Sequence, residues 1–149
     1  MGAAQLVWGD HVDKPIERIL VVDDEESNRS LLSLVLQGVG YEVVQAEDGR
    51  SALLYAQENL SCAFVDMHLP DMQGTAVVQA LRQANPDLFI ITATMDDDPQ
   101  TIHDAYDAGC DMFLVKPFDI AKLPQLVKQS QRGQHWIVDR LGMRVFRKS

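Results

Sequence analysis

Four short apolar runs recur along the chain: ILVV (19–22), CAFV (62–65), LFII (88–91) and MFLV (112–115). A fifth run, YEVVQA (41–46), is weaker. Runs of this length without alternation predict strands buried on both faces, as in a parallel sheet. Between them the apolar spacing becomes helical. Leu31, Leu32, Val35 and Leu36 predict a helix capped by Ser27 or Asn28 and stopped near residues 38–40. Asp48 is placed to cap a second helix, with Ala52, Leu53 and Ala56 on its apolar side. Residues 74–84 predict a third, ended by Asn85-Pro86. Residues 99–108 predict a fourth, opened by Pro99 and ended at Gly109. Residues 119–130 predict a fifth, in which Pro124 either delays the start or kinks the helix.

Strict alternation of five such β-α units predicts an α/β fold, a doubly wound parallel sheet with helices on both faces. Ligands of these sheets bind at the carboxyl ends of the strands. The residues at those ends are Asp23 and Asp24, Asp66, Thr94 and Lys116. Three carboxylates on one sheet edge repel one another and oppose folding unless something neutralises them. A hard divalent cation, Mg²⁺ or Mn²⁺, suits oxygen donors and keeps open positions for other ligands. With Lys116 as a fixed cation and Thr94 as a hydroxyl donor, these are the parts required to form an aspartyl phosphate.

Charge narrows the picture further. The chain of 149 residues carries a net −9, unevenly divided. Residues 1–127 hold 21 acids against 7 Lys and Arg, whereas residues 128–149 hold 1 acid against 6. An acidic body argues against nucleic-acid binding by the main domain. The basic tail is read as a solvated end or linker, or as a partner-binding or DNA-binding element too short for a helix-turn-helix of its own. No apolar run reaches the roughly 18 residues that span a membrane, and residues 1–17 lack the pattern of a signal peptide. Cys62 and Cys110 each lie beside an apolar run and read as small buried residues in a reducing compartment, with the cytoplasm as the expected location. His11, His103 and His135 fall in separate segments without metal-ligand spacing and read as surface residues.

The strings VVDDEESNR, AFVDMHLPDMQG, TAT and FLVKPF together resemble the receiver domain of two-component response regulators. The resemblance covers roughly residues 18–130, flanked by an N-terminal extension (1–17) and a basic tail (131–149). It implies a five-stranded sheet of flavodoxin-like order 2-1-3-4-5. It implies Asp66 as the phosphoacceptor, Asp24 as a direct metal ligand, Asp23 as a ligand acting through water, and His68 as donor of a backbone carbonyl to the metal. Lys116 takes the place of the family's lysine, and Pro70 and Gly74 match its loop after strand three. Thr94 lies 28 positions after Asp66, and Lys116 lies 50 after, as in ungapped family members. Thr94 is therefore the switch hydroxyl and Thr92 a buried strand threonine. Phe113 matches the aromatic switch position, against the plain reading of a core phenylalanine, and the Lys116–Pro117 peptide is expected to be cis.

The resemblance also implies partners: a sensor histidine kinase or histidine phosphotransfer protein as donor, and a downstream protein that reads the helix 4–strand 5–helix 5 surface, with a homodimer as one arrangement. Nucleic acid would enter only through a separate effector domain. Such a protein catalyses its own phosphorylation and dephosphorylation without being an enzyme for a separate substrate. Met95 departs from the small residue usual after the switch threonine and is expected to narrow access to Asp66. It is the one hint of the alternative, a degenerate receiver used as a phosphorylation-independent interaction module. Asp96 either orients water or is a solvated loop residue. A nucleotide-binding sheet is set aside, because the first β-α turn is DDEES and has no glycine-rich loop to cradle phosphates. A hydrolase working through an aspartyl phosphate would need a cap domain for which there is no room. The tail HWIVDRLGMRVFRKS alternates around Leu141-Gly142 and reads as a small hairpin or as the start of a linker, with Trp8, Trp136 and Phe146 able to pack on the body.

Overall fold

Residue parity along each strand decides which side of the sheet a side chain joins. In the computed structural model, which describes residues 17–96, 98–129, 135–139 and 142–146, the apolar runs become β1 (Arg18–Val22), β3 (Cys62–Asp66), β4 (Phe89–Thr94) and β5 (Met112–Val115). The weaker run becomes β2 (Glu42–Ala46), which lies at one edge and is only partly buried. Leu20, Val22, Ala63, Val65, Ile90 and Phe113 form a core on one face with Val77, Val78, Leu81, Ile102 and Tyr106. Ile19, Val21, Phe64, Ile91, Met112 and Leu114 form a second core on the other face with Leu32, Leu36 and Leu123. Strands buried on both faces cannot alternate apolar with polar, hence the continuous runs.

The helices are α1 (Glu26–Gly38), α2 (Gly49–Leu53), α3 (Gly74–Ala84), α4 (Pro99–Ala108) and α5 (Leu123–Gln129). α1 begins before the expected caps. Glu25 holds the cap position with no side-chain cap bond, and the Glu25 N–H instead donates to Asp23 Oδ1 at 2.9 Å. The acidic turn thus organises itself, and Asn28 donates to the Glu25 carboxylate from within the helix. Asp48 and Asp98 cap α2 and α4 by accepting from the N–H groups of Ser51 and Thr101. α4 ends at Gly109, whose φ of 120° suits a glycine. Pro124 sits in the first turn of α5, after a 3₁₀ turn (Ile120–Lys122), where a proline costs no helical hydrogen bond, so the α-helix starts later than expected.

The parallel order β2-β1-β3-β4-β5 is present, and the sheet continues beyond it. β6 (His135–Asp139) runs parallel to β5, pairing Met112 with Trp136, Phe113 with Ile137 and Leu114 with Val138. β7 (Gly142–Phe146) returns antiparallel to β6. Among the described residues the sheet therefore has seven strands where five were expected. The alternating tail forms a hairpin, and β6 covers the β5 edge that would otherwise stay open. Ile137 is buried in the same core as Phe113. Residues 1–16, with Trp8 and His11, lie outside the described residues, as do Leu141 and the side chains of His135, Trp136 and Phe146. No helix among the described residues is long and apolar enough to cross a membrane.

Candidate functional site

The carboxyl ends of β1, β3, β4 and β5 bring Asp23, Asp66, Thr94 and Lys116 to one sheet edge. Asp66 ends β3 and Thr94 ends β4, and in register Asp66 faces Ala93 while Thr94 faces Val115. Lys116 follows β5 and is fixed by its N–H, which donates to the Thr94 carbonyl at 2.9 Å. Its Nζ donates to Asp66 Oδ2 at 3.2 Å and lies 3.8 Å from Asp23 Oδ2. The Lys116–Pro117 peptide is cis. Asp66 Oδ1 accepts from the His68 N–H at 3.0 Å. His68 also forms an isolated antiparallel bridge with Gln73, and its side chain is exposed.

Asp23 is 1% exposed. Its N–H donates to the Ala46 carbonyl and its Oδ1 accepts from Glu25. Its Oδ2 is buried without a hydrogen-bond partner among the described residues. Asp24 is exposed. Asp23, Asp24 and Asp66 each offer one oxygen within 4.8 Å of the others. A buried carboxylate oxygen that accepts no hydrogen bond, beside two further carboxylates and with Lys116 as the neighbouring cation, leaves an excess of negative charge that fits a hard cation.

Burial pushes the Asp23 carboxyl above its ordinary value, and the charges of Asp66 and Asp24 push the same way. The Glu25 N–H and Lys116 oppose them. A raised carboxyl pKa means that the folded state disfavours the charged form. Its cost is absent below the ordinary aspartate value of 3.8 and grows as pH rises through the folded value. Asp23→Asn, kept in chelator, is therefore expected to exceed wild type in denaturant resistance at neutral pH. The gap should close as pH falls below that ordinary value. An Asn variant weaker than wild type at neutral pH would contradict this.

Two expected features take a different form. Met95 is 78% exposed, so its side chain is turned to solvent and is not packed into the site. Asp96 accepts from the Asp98 N–H and the Thr101 hydroxyl, so it organises the loop that starts α4. Thr94 is buried, and its Oγ1 accepts from the Asp96 N–H at 3.2 Å. Thr92 is a buried strand threonine, as expected, and its hydroxyl has no hydrogen-bond partner among the described residues. Phe113 is fully buried against Tyr106, their ring centroids 6.4 Å apart. Cys62 and Cys110 are both buried.

Asp71 and Arg29 bear on the site without having been singled out, and Gly74, matched above to the family's loop, has a packing role. Asp71 accepts from the N–H groups of Gly49 and Arg50, tying the β3–α3 loop to α2, and these bonds hold its carboxyl below the ordinary value. Gly74 lets α3 approach the end of β3, because a Cβ there would sit 2.5 Å from the Asp66 carbonyl and from Met67 Cα. Arg29 Nη1 donates to the Asp23 carbonyl at 2.8 Å.

Residues 19–128 match the response regulator receiver domain family. The chain belongs to that family. Over 116 residues it is 30% identical to a cyclic di-GMP phosphodiesterase of Thermotoga maritima, covering 78% of this chain and 31% of that protein. The chain spans about half or less of the length of curated relatives it matches. Its fold is similar to that of the chemotaxis protein CheY4 of Vibrio cholerae, with TM-score 0.73 and 32% identity over 78% of this chain and all of that one. It is also similar to a response regulator of Burkholderia pseudomallei solved with a phosphorylated aspartic acid and a calcium ion. There the TM-score is 0.70 and the identity 28%, over 78% of this chain and 67% of that one. Receiver domains act in two-component systems between sensor kinases and downstream effectors, and they typically bind a metal beside acidic residues such as those of this site.

Proposed function

We propose that this receiver domain takes a phosphoryl group from a phosphohistidine onto Asp66 and thereby changes the surface it offers to a downstream protein. The observation that carries the reading is the Asp66–Lys116 ion pair set beside Asp23 and Asp24 at the strand ends. The donor is a sensor histidine kinase or a histidine phosphotransfer protein, and the exchange belongs in the cytoplasm. An Asp66 Oδ attacks phosphorus, the P–N bond of the donor breaks, and the histidine nitrogen leaves with the bonding pair. Lys116 Nζ, already on Asp66 Oδ2, is placed to neutralise charge on the arriving group. Mg²⁺ or Mn²⁺, held by Asp24 and Asp66, by Asp23 through water and by the His68 carbonyl, would supply charge neutralisation and a coordination position for a phosphoryl oxygen.

Thr94 then exchanges its present contact with Asp96 for the phosphoryl oxygens. That movement carries the β4–α4 loop with it, and Phe113 holds the inward position beside Tyr106. A charge change at one strand end thus biases a two-state surface of α4, β5 and α5, to which β6 and β7 are joined here. The protein acts as a switch and has no separate substrate.

Beryllofluoride, a mimic of a phosphoryl group on a carboxylate, tests the reading. It is expected to raise the melting temperature of the wild type only when Mg²⁺ is present, and to leave Asp66→Asn unchanged. A wild type that does not respond, or an equal response in Asp66→Asn, would overturn it.

A further inference from the structure

The Asp24 carboxylate makes no hydrogen bond or ion pair among the described residues, so its direction is set by the backbone that carries it. That backbone is held on both sides of Asp24, after it by the Glu25 N–H, which donates to Asp23 Oδ1 at 2.9 Å, and before it by two bonds of the Asp23 backbone. The Asp23 N–H donates to the Ala46 carbonyl at 3.1 Å, and the Asp23 carbonyl accepts from Arg29 Nη1 at 2.8 Å. The Asp23 carbonyl belongs to the peptide that leads into Asp24, so the bond from Arg29 fixes the plane of that peptide and the direction in which Asp24 departs. Arg29 is itself held, its Nε donating to Gln45 Oε1 at 3.2 Å on β2. One guanidinium therefore links α1, the β2 edge and the acidic turn. Only a planar fork with several donors can serve both partners at once.

We propose that Arg29 is a positioning residue for the metal-binding carboxylates, orienting the Asp23–Asp24 peptide so that Asp24 meets Asp23 and Asp66 around one cation. The inference rests on the receiver reading of this site. A purely electrostatic role would have the opposite sign. A fixed positive charge beside a cation site repels the cation, so removing it would tighten binding. Loss of orientation weakens binding, and outer residues that orient ligands typically contribute about 10-fold or more to metal affinity.

The test is Mn²⁺ affinity of the full chain, read from the free-ion electron paramagnetic resonance signal with no phosphodonor present. Arg29→Ala is expected to weaken binding about 10-fold. Arg29→Lys keeps the charge but cannot bridge both partners, and should fall between Arg29→Ala and wild type. Gln45→Ala frees the Nε end alone and should weaken binding by less than Arg29→Ala. Melting temperatures in chelator should stay close to wild type for all three, which separates positioning from general loss of structure. Unchanged or tighter binding in Arg29→Ala, or Arg29→Lys equal to wild type, would overturn the positioning role and leave the receiver reading standing. A wild type that binds no Mn²⁺, or Asp24→Asn binding as tightly as wild type, would overturn the receiver reading of the site and the inference with it.

Discussion

Asp66→Asn is expected to abolish phosphoryl uptake while leaving the fold intact. An amide is not a nucleophile toward phosphorus, so the loss should be complete, below the detection of a mass measurement. Stability should move little. The Asn side-chain oxygen can still accept from the His68 N–H, and removing one charge from a cluster of three carboxylates offsets the ion pair with Lys116 that is lost. A change within about 1 kcal/mol in denaturant unfolding is expected. A variant that unfolds would mean that the Asp66–Lys116 pair holds the structure together as well as serving the site.

Arg82→Met should instead be the most damaging change to the fold that leaves the acidic edge alone. Arg82 Nη2 and Nε donate to the Gly109 carbonyl, and Nη1 donates to the carbonyls of Asn85, Pro86 and Leu88. Nη2 also pairs with Asp111 Oδ2 at 2.8 Å. Asp111 is 1% exposed, and the same Oδ2 accepts from the Ile90 N–H. One side chain thus closes the ends of α3 and α4 against the starts of β4 and β5. Its removal strips a buried carboxylate of its cation, a loss of about 3–5 kcal/mol. Equilibrium unfolding measures it. Adding Asp111→Asn to Arg82→Met should restore part of the loss, because the buried charge is then gone. A loss below about 1 kcal/mol would place the stability of this corner elsewhere.

The contrast between these residues explains what the sequence made legible. Asp66, Asp23 and Lys116 could be found because each follows a buried strand and strand ends converge. Locating the apolar runs located the site. Thr94 followed from its distance to Asp66, and the structure places its hydroxyl in the adjacent loop. Arg82 and Arg29 gave no such signal. Each is a cation on an amphipathic helix, like many solvated ones, and its reach to carbonyls on other elements exists only after folding. The start of α1 was misplaced for a related reason. Ser27 and Asn28 are good caps, but the Asp23 carboxylate already binds the Glu25 N–H and starts the turn earlier.

The sixth and seventh strands were half legible. Alternation around Gly142 suggested a hairpin, yet no local pattern fixes which edge a hairpin joins. That choice is a long-range one, decided by the open edge of β5 and by the burial of Ile137 beside Phe113. Met95 is legible only in part. Its size is legible but its direction is not, since side-chain direction in a loop depends on backbone that residue type does not specify, and here the side chain is exposed.

The most direct test is the intact mass of the protein after incubation with acetyl phosphate, with and without Mg²⁺. The account predicts a single added phosphoryl group that requires Mg²⁺, maps to Asp66, and is absent from Asp66→Asn. Uptake at another residue, or undiminished uptake in Asp66→Asn, would contradict it.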